Sequence, residues 1–180
     1  QTYTFDANLG GGYTDRDIYI VLSMAPLEEG TFTEEEQQAI READAVIYFA
    51  GTKPGENGYF EETDGYNLNL PNGQNALIDT VATMNDNLIV YMQAVSQINV
   101  EPFKDKANAI LWSTYNGQAQ GNAAGRILFG EANPSAKLPF TWYTDVEQLD
   151  HITDYTMRAS EESNGRTYQY FTGDVTYPFG

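Results

Sequence analysis

The chain has 180 residues and a formal charge of −17, from 9 Lys and Arg against 26 Asp and Glu, with no cysteine and a single histidine, His151. This balance argues against nucleic-acid and anionic-membrane partners, which need clustered cations. It also removes cysteine nucleophiles, disulfides and Cys- or His-rich metal sites, and leaves only His151 for any Ser-His-Asp triad. With 41% hydrophobic residues and no apolar run near the ~20 residues of a membrane span, the composition is that of a globular domain with a sizeable core.

Residues 1–16, with Gly10-Gly11-Gly12, read as a loop or linker. Asp6, Asn8 and Gly10 have the spacing of the start of a calcium loop, but Asp17 stands where the closing glutamate belongs, so loop or linker is the better reading. No signal peptide is visible in this polar, acidic start. Asp17 to Met24 (DIYIVLSM) is β-branched and apolar and predicts a strand. Thr33 and Glu36 have capping-box spacing and open a helix to about Ala43, with Glu34 and Glu35 at the positive end of its dipole. Ala45 to Ala50 (AVIYFA) predicts a strand covered on both faces.

Residues 51–72 are a long connection rich in Gly, Asn, Asp and Glu, of a length that is uncommon without a function. A helix follows from about Gln74 to Met84, with Leu77, Ile78 and Val81 on one face. Asn87 to Ala94 and Ala109 to Ser113 predict strands, and Asn122 to Phe129 a short helix stopped by Gly130. Asn133 to Trp142 reads as loop plus edge strand. The polar, aromatic tail, which includes His151, reads as a surface wrap. Alternating strands and helices imply βαβ units: an α/β fold, a three-layer α/β/α sandwich with a mostly parallel sheet of about five or six strands. Ligands in such folds sit beyond the carboxyl ends of the strands, where the 51–72 connection leaves.

That connection holds Glu56, Glu61, Glu62 and Asp64 interleaved with Tyr59, Phe60 and Tyr66. Glycosidic-bond cleavage uses two carboxyl groups, one of them a proton donor whose pKa an aromatic wall can raise. On composition alone that signal is weak, and a solvated acidic loop is the better reading of the same residues. Trp112 and Tyr115 follow a strand and could line a sugar site, but core packing or contact with a neighbouring domain is the better reading, and Arg166 is expected to pair with a carboxylate inside the domain.

For the acidic connection, the order of motifs along the chain adds a resemblance. AVIYFAGT, then EETDGYNLNLPNGQNALIDTVA, then NAILWSTYNGQAQGNAAGRILFGEANPSAKLPFTW, then GRTYQYFTGDVTYPFG resemble, in sequence, the C-terminal domain of glycoside hydrolase family 3. The resemblance covers about residues 44–180, and NPSAKLPFTW and YPFG are its most specific parts. It implies a domain at 17–180 that carries the general acid/base of a retaining exo-acting β-glycosidase, of β-glucosidase or β-xylosidase type. The family's loop motif is Glu-Gly-Asp-Arg, two variable residues, then Leu-x-Leu. Counting back from Leu68 and Leu70 places Glu62 on the glutamate and Asp64 on the aspartate. Glu61 is the alternative if the register slips by one, and Glu56 the third choice. Asp64, Glu56, Tyr59 and Tyr66 are the substrate-binding candidates.

Thr63 and Gly65 depart from the motif's glycine and arginine, which keeps open a non-catalytic carbohydrate-binding or interaction module of the same fold. The resemblance implies no metal or organic cofactor. The implied partners are a β-linked oligosaccharide or glycoside and a (β/α)8 barrel that supplies the aspartate nucleophile. Such a barrel needs roughly 200 residues. No candidate for it exists in this chain, so it is expected from the same or another polypeptide.

Overall fold

The computed structural model describes the backbone of residues 18–22 and all of residues 32–52 and 67–180. Contacts divide the chain into two compact units, one of residues 1–96 with 100–114 and one of residues 97–99 with 115–180. The fold is α/β, as expected.

The first unit is a four-stranded parallel sheet in the order β1 (Ile18–Leu22), β2 (Ala45–Gly51), β3 (Leu88–Gln93), β4 (Ala109–Ser113). Helix α1 (Glu34–Glu42) connects β1 to β2, and α2 (Gln74–Ala82) connects β2 to β3. The strand order advances in one direction, so right-handed crossovers put both helices on the same face.

The reasons for these elements are local. Thr33 caps α1 with both halves of the capping box: its hydroxyl accepts from the Glu36 amide at 3.2 Å, and its own amide donates to the Glu36 carboxylate at 2.8 Å. At the other end, the Asn85 side-chain amide donates to the Ile40 and Ala43 carbonyls, both at 2.8 Å. This satisfies carbonyls that the helix terminus leaves without partners. Leu77, Ile78 and Val81 are the buried stripe of α2, the face that the sequence predicts.

In β2 and β3, Val46, Tyr48 and Ala50 lie in register with Leu88, Val90 and Met92, and all six are buried. Each fully buried aliphatic or aromatic side chain contributes about 1.5–3 kcal/mol. The opposite register carries Ile47 and Tyr91, also buried, and the tilted ring pair Phe49–Tyr91 at 5.3 Å. Burial in both registers matches the near-continuous apolar sequence of β2.

The second unit holds α3 (Gln120–Leu128), β5 (Trp142–Tyr143), a 3-10 turn at Val146–Gln148, α4 (Thr167–Tyr170) and β6 (Val175–Tyr177). Helix α3 begins two residues before the expected Asn122 and ends at Leu128, capped by Phe129 and followed by Gly130, whose φ of 78° suits a residue without a Cβ. The expected edge strand shrinks to β5, which pairs antiparallel with β6 and not with the parallel sheet. Among the described residues the large sheet therefore has four strands, and the remaining two form a sheet of their own.

The two segments with the most specific resemblance are neighbours here. Trp142 opposes Tyr177, their rings 5.8 Å apart, and the Gly180 amide donates to the Leu138 carbonyl at 3.0 Å. The tail is less of a loose wrap than the sequence suggests. Gln97, buried, bonds the Tyr143 backbone in both directions, and Arg166 donates to the Asp150 and His151 carbonyls at 2.8 and 2.7 Å. These backbone bonds stand beside an electrostatic interaction of Arg166 with the Asp154 carboxylate, in keeping with the expected carboxylate partner inside the domain. His151 is exposed, as expected, within 2.8 Å of the Thr153 hydroxyl. Among the described residues no helix is long and apolar enough to cross a membrane.

Candidate functional site

The carboxyl end of the parallel sheet is built from Gly51, Gln93 and Ser113, which lie in register across β2, β3 and β4. At Gly51 the backbones come so close that a Cβ would stand 2.5 Å from the Gln93 carbonyl oxygen. Only glycine permits that approach. One residue on, the Thr52 amide donates to the same carbonyl at 2.9 Å, extending the pairing past the end of β2. Beside it, the Ala94 amide donates to the Ser113 carbonyl at 3.0 Å, and the Tyr91 and Ser113 hydroxyls are 3.2 Å apart.

Glu56, Tyr59, Glu61, Glu62, Asp64 and Tyr66 all lie outside the described residues, in the segment that leaves from Thr52 and returns at Asn67. The description at this place is therefore of its two ends. On return, the Asn69 amide donates to the Asn67 side chain at 2.9 Å, an Asx turn. The Leu70 amide donates to the Asn75 side chain at 2.8 Å, and Leu70 itself is buried. Asn72 and Gly73 then take positive φ values of 57° and 70° and turn the chain into α2, whose cap residue Gly73 offers no side-chain bond.

The residue that joins these ends is one that the sequence reading passes over. Gln74, only 3% exposed, accepts from the Gly51 amide at 3.0 Å and donates to the Gly51 carbonyl at 3.0 Å. Its side-chain nitrogen also donates to the Pro71 carbonyl at 3.0 Å. One side chain thus bonds the last residue of β2 and the residue just before the turn into α2. The available signal was a glutamine at the first helical position, directly after a glycine cap, where a polar side chain has no obvious local partner.

Other sequence candidates sort simply. Trp112 lies within β4 and is half-buried, whereas Tyr115 is exposed. Gly10 to Gly12 and the Asp6 segment lie outside the described residues. Asp154 is held below the ordinary carboxylate range by the Thr156 backbone N–H, at 2.8 Å, and by the Thr156 hydroxyl, which makes it a turn-former and not a proton donor near neutral pH. No group of three or more His, Asp or Glu suited to a metal ion occurs among the described residues. The second unit has a cavity of about 240 Å³ lined by Thr141, Phe171 and Val175 and by Tyr168 stacked on Phe179, with no carboxylate among the described residues of its wall.

Comparison with known proteins bears on the whole of this arrangement. Residues 6–180 match the family model described as the glycosyl hydrolase family 3 C-terminal domain. Beta-D-xylosidase 1 of Arabidopsis thaliana is 38% identical over 148 residues, which cover 80% of this chain and 19% of that protein. A beta-glucosidase of Wickerhamomyces anomalus is 40% identical over 153 residues, 77% of this chain and 18% of that protein.

Among solved structures, a family 3 exo-beta-xylosidase in complex with a xylobiose aziridine activity-based probe superposes with a TM-score of 0.72 at 31% identity, over 82% of this chain and 20% of that one. A family 3 beta-glucosidase from Bifidobacterium adolescentis gives 0.68 at 29% identity, over 81% and 22%. The chain spans about a fifth of the length of the relatives it matches.

Proposed function

The chain belongs to glycosyl hydrolase family 3, to its C-terminal domain, and from that premise we propose that residues 17–180 form the acid/base-bearing domain of a retaining exo-acting β-glycosidase. The substrate is a glycoside or oligosaccharide with a terminal β-linked xylose or glucose, the two sugars in the names of the relatives. The observation that carries the reading is positional: the acidic, aromatic segment is strung between the carboxyl end of β2 and the entry to α2, where α/β folds bind ligands. We further propose that the four-stranded sheet is the described part of a three-layer sandwich of five or six strands; burial of both registers of β2 and β3 supports it.

In this mechanism an aspartate of a (β/α)8 barrel, in the same or another chain, attacks the anomeric carbon. Glu62 protonates the departing oxygen, then takes the proton from the water that hydrolyses the glycosyl–enzyme. Retention requires the two carboxyl groups to stand about 5–5.5 Å apart in the assembled site. Asp64, Glu56, Tyr59 and Tyr66 contact the sugar.

The test is Glu62→Gln in the barrel-bearing enzyme, read as kcat/KM over aryl β-glycosides of graded leaving groups. Phenyl glycosides need the proton and dinitrophenyl glycosides do not. The variant is expected to lose about 10²-fold or more on the former and far less on the latter. Equal loss on both contradicts the assignment, and the same split in Glu61→Gln alone moves the role to Glu61.

A further inference from the structure

We infer that Gln74 is a positioning residue for glycosidic proton transfer, acting by tying together the two ends of the segment that carries the acid/base carboxylate. The inference rests on the proposed reading of that segment, but its evidence is separate and lies wholly in described residues.

The primary amide of Gln74 makes three bonds at 3.0 Å, to the amide and the carbonyl of Gly51 and to the carbonyl of Pro71. The two Gly51 bonds are of opposite sense. They fix which end of the side chain is oxygen, since a flipped amide would set N–H against N–H and C=O against C=O. The side chain is therefore held in one orientation, and in turn holds Gly51 and Pro71 at one separation. Both ends are anchored again by the pairs Thr52–Gln93 and Leu70–Asn75, at 2.9 and 2.8 Å.

The connection that carries Glu62 leaves from Thr52 and returns at Asn67, next to these anchor points. Proton transfer to a leaving oxygen needs a heavy-atom separation of about 2.6–3.2 Å, and a displacement of about 1 Å can cost 10²-fold. Gln74 is buried, so it acts through the segment and not on the sugar.

Asn85 supplies a matched control. It too is a buried amide that bonds two backbone carbonyls, but those are Ile40 and Ala43 at the end of α1, and neither belongs to the connection that carries Glu62. A role confined to stability would make the two residues equivalent.

The experiment compares Gln74→Met, Asn85→Met and Glu62→Gln in the barrel-bearing enzyme, reading kcat/KM over the same aryl β-glycosides alongside thermal stability. Gln74→Met is expected to lose about tenfold or more on phenyl glycosides and little on dinitrophenyl glycosides. Asn85→Met is expected to lower stability without that split. If Gln74→Met does not fold, Gln74→Glu, which keeps the acceptor for the Gly51 amide and loses both donors, is read in its place.

A split in Glu62→Gln with none in the Gln74 variant overturns the positioning role and leaves the acid/base reading standing. A split in the Gln74 variant with none in Glu62→Gln supports positioning and moves the carboxylate elsewhere on the segment. Equal profiles for the Gln74 and Asn85 variants overturn the inference.

Discussion

Gly51 illustrates how a single position can be decided by tertiary contact alone. The sequence shows only a glycine where an apolar run gives way to a polar one. In the fold it is the point where β2 approaches the β3 backbone, and a Cβ there would meet the Gln93 carbonyl oxygen at 2.5 Å. Backbone cannot yield as a flexible side chain can. Gly51→Ala is expected to cost about 1–3 kcal/mol, as overpacking generally does. A urea midpoint unchanged from the parent would show that the strands separate without penalty. Gln74 was missed for the same kind of reason, because its partners Gly51 and Pro71 become neighbours only when the sheet forms. For Arg166 the charge and hence a carboxylate partner are legible in a sequence, whereas the turn that presents the Asp150 and His151 carbonyls to it is not.

Elements whose signals are local were read well. The Thr33 capping box, the buried stripe of α2, the apolar strands β2 and β3 and the stop at Gly130 all appear near their expected places. Each rests on contacts within about one helical turn or on an apolar run. Thr33→Ala removes the hydroxyl that accepts from the Glu36 amide. It is expected to destabilise the chain by about 1 kcal/mol, with an amide-exchange increase concentrated at the start of α1. Uniform acceleration across the sheet would contradict a local capping role. Strand β5 was misread in extent and partner because its pairing with β6 joins distant parts of the chain. That pairing brings the NPSAKLPFTW and YPFG motifs together, through Trp142 opposite Tyr177 in the small sheet and the bond from the Gly180 amide to the Leu138 carbonyl.

For the whole molecule, the opening arithmetic and the comparisons meet. The α/β class and the family were legible in the order of motifs along the chain. The candidate acid/base residues were legible only through the family's loop pattern, and what the structure adds is the frame on which that loop is strung. A net charge of −17 disposes the surface toward neutral ligands such as sugars and away from polyanions. The chain spans about a fifth of the length of its relatives, and the proposed chemistry divides between two carboxyl groups, of which only the proton donor is assigned here. The central claim is therefore that this domain holds one half of a retaining active site. Its most direct test is a prolonged incubation of the purified chain with 4-nitrophenyl β-xyloside and β-glucoside. The expected result is nitrophenol release no faster than in buffer; turnover by the chain alone, abolished by Glu62→Gln, would contradict it.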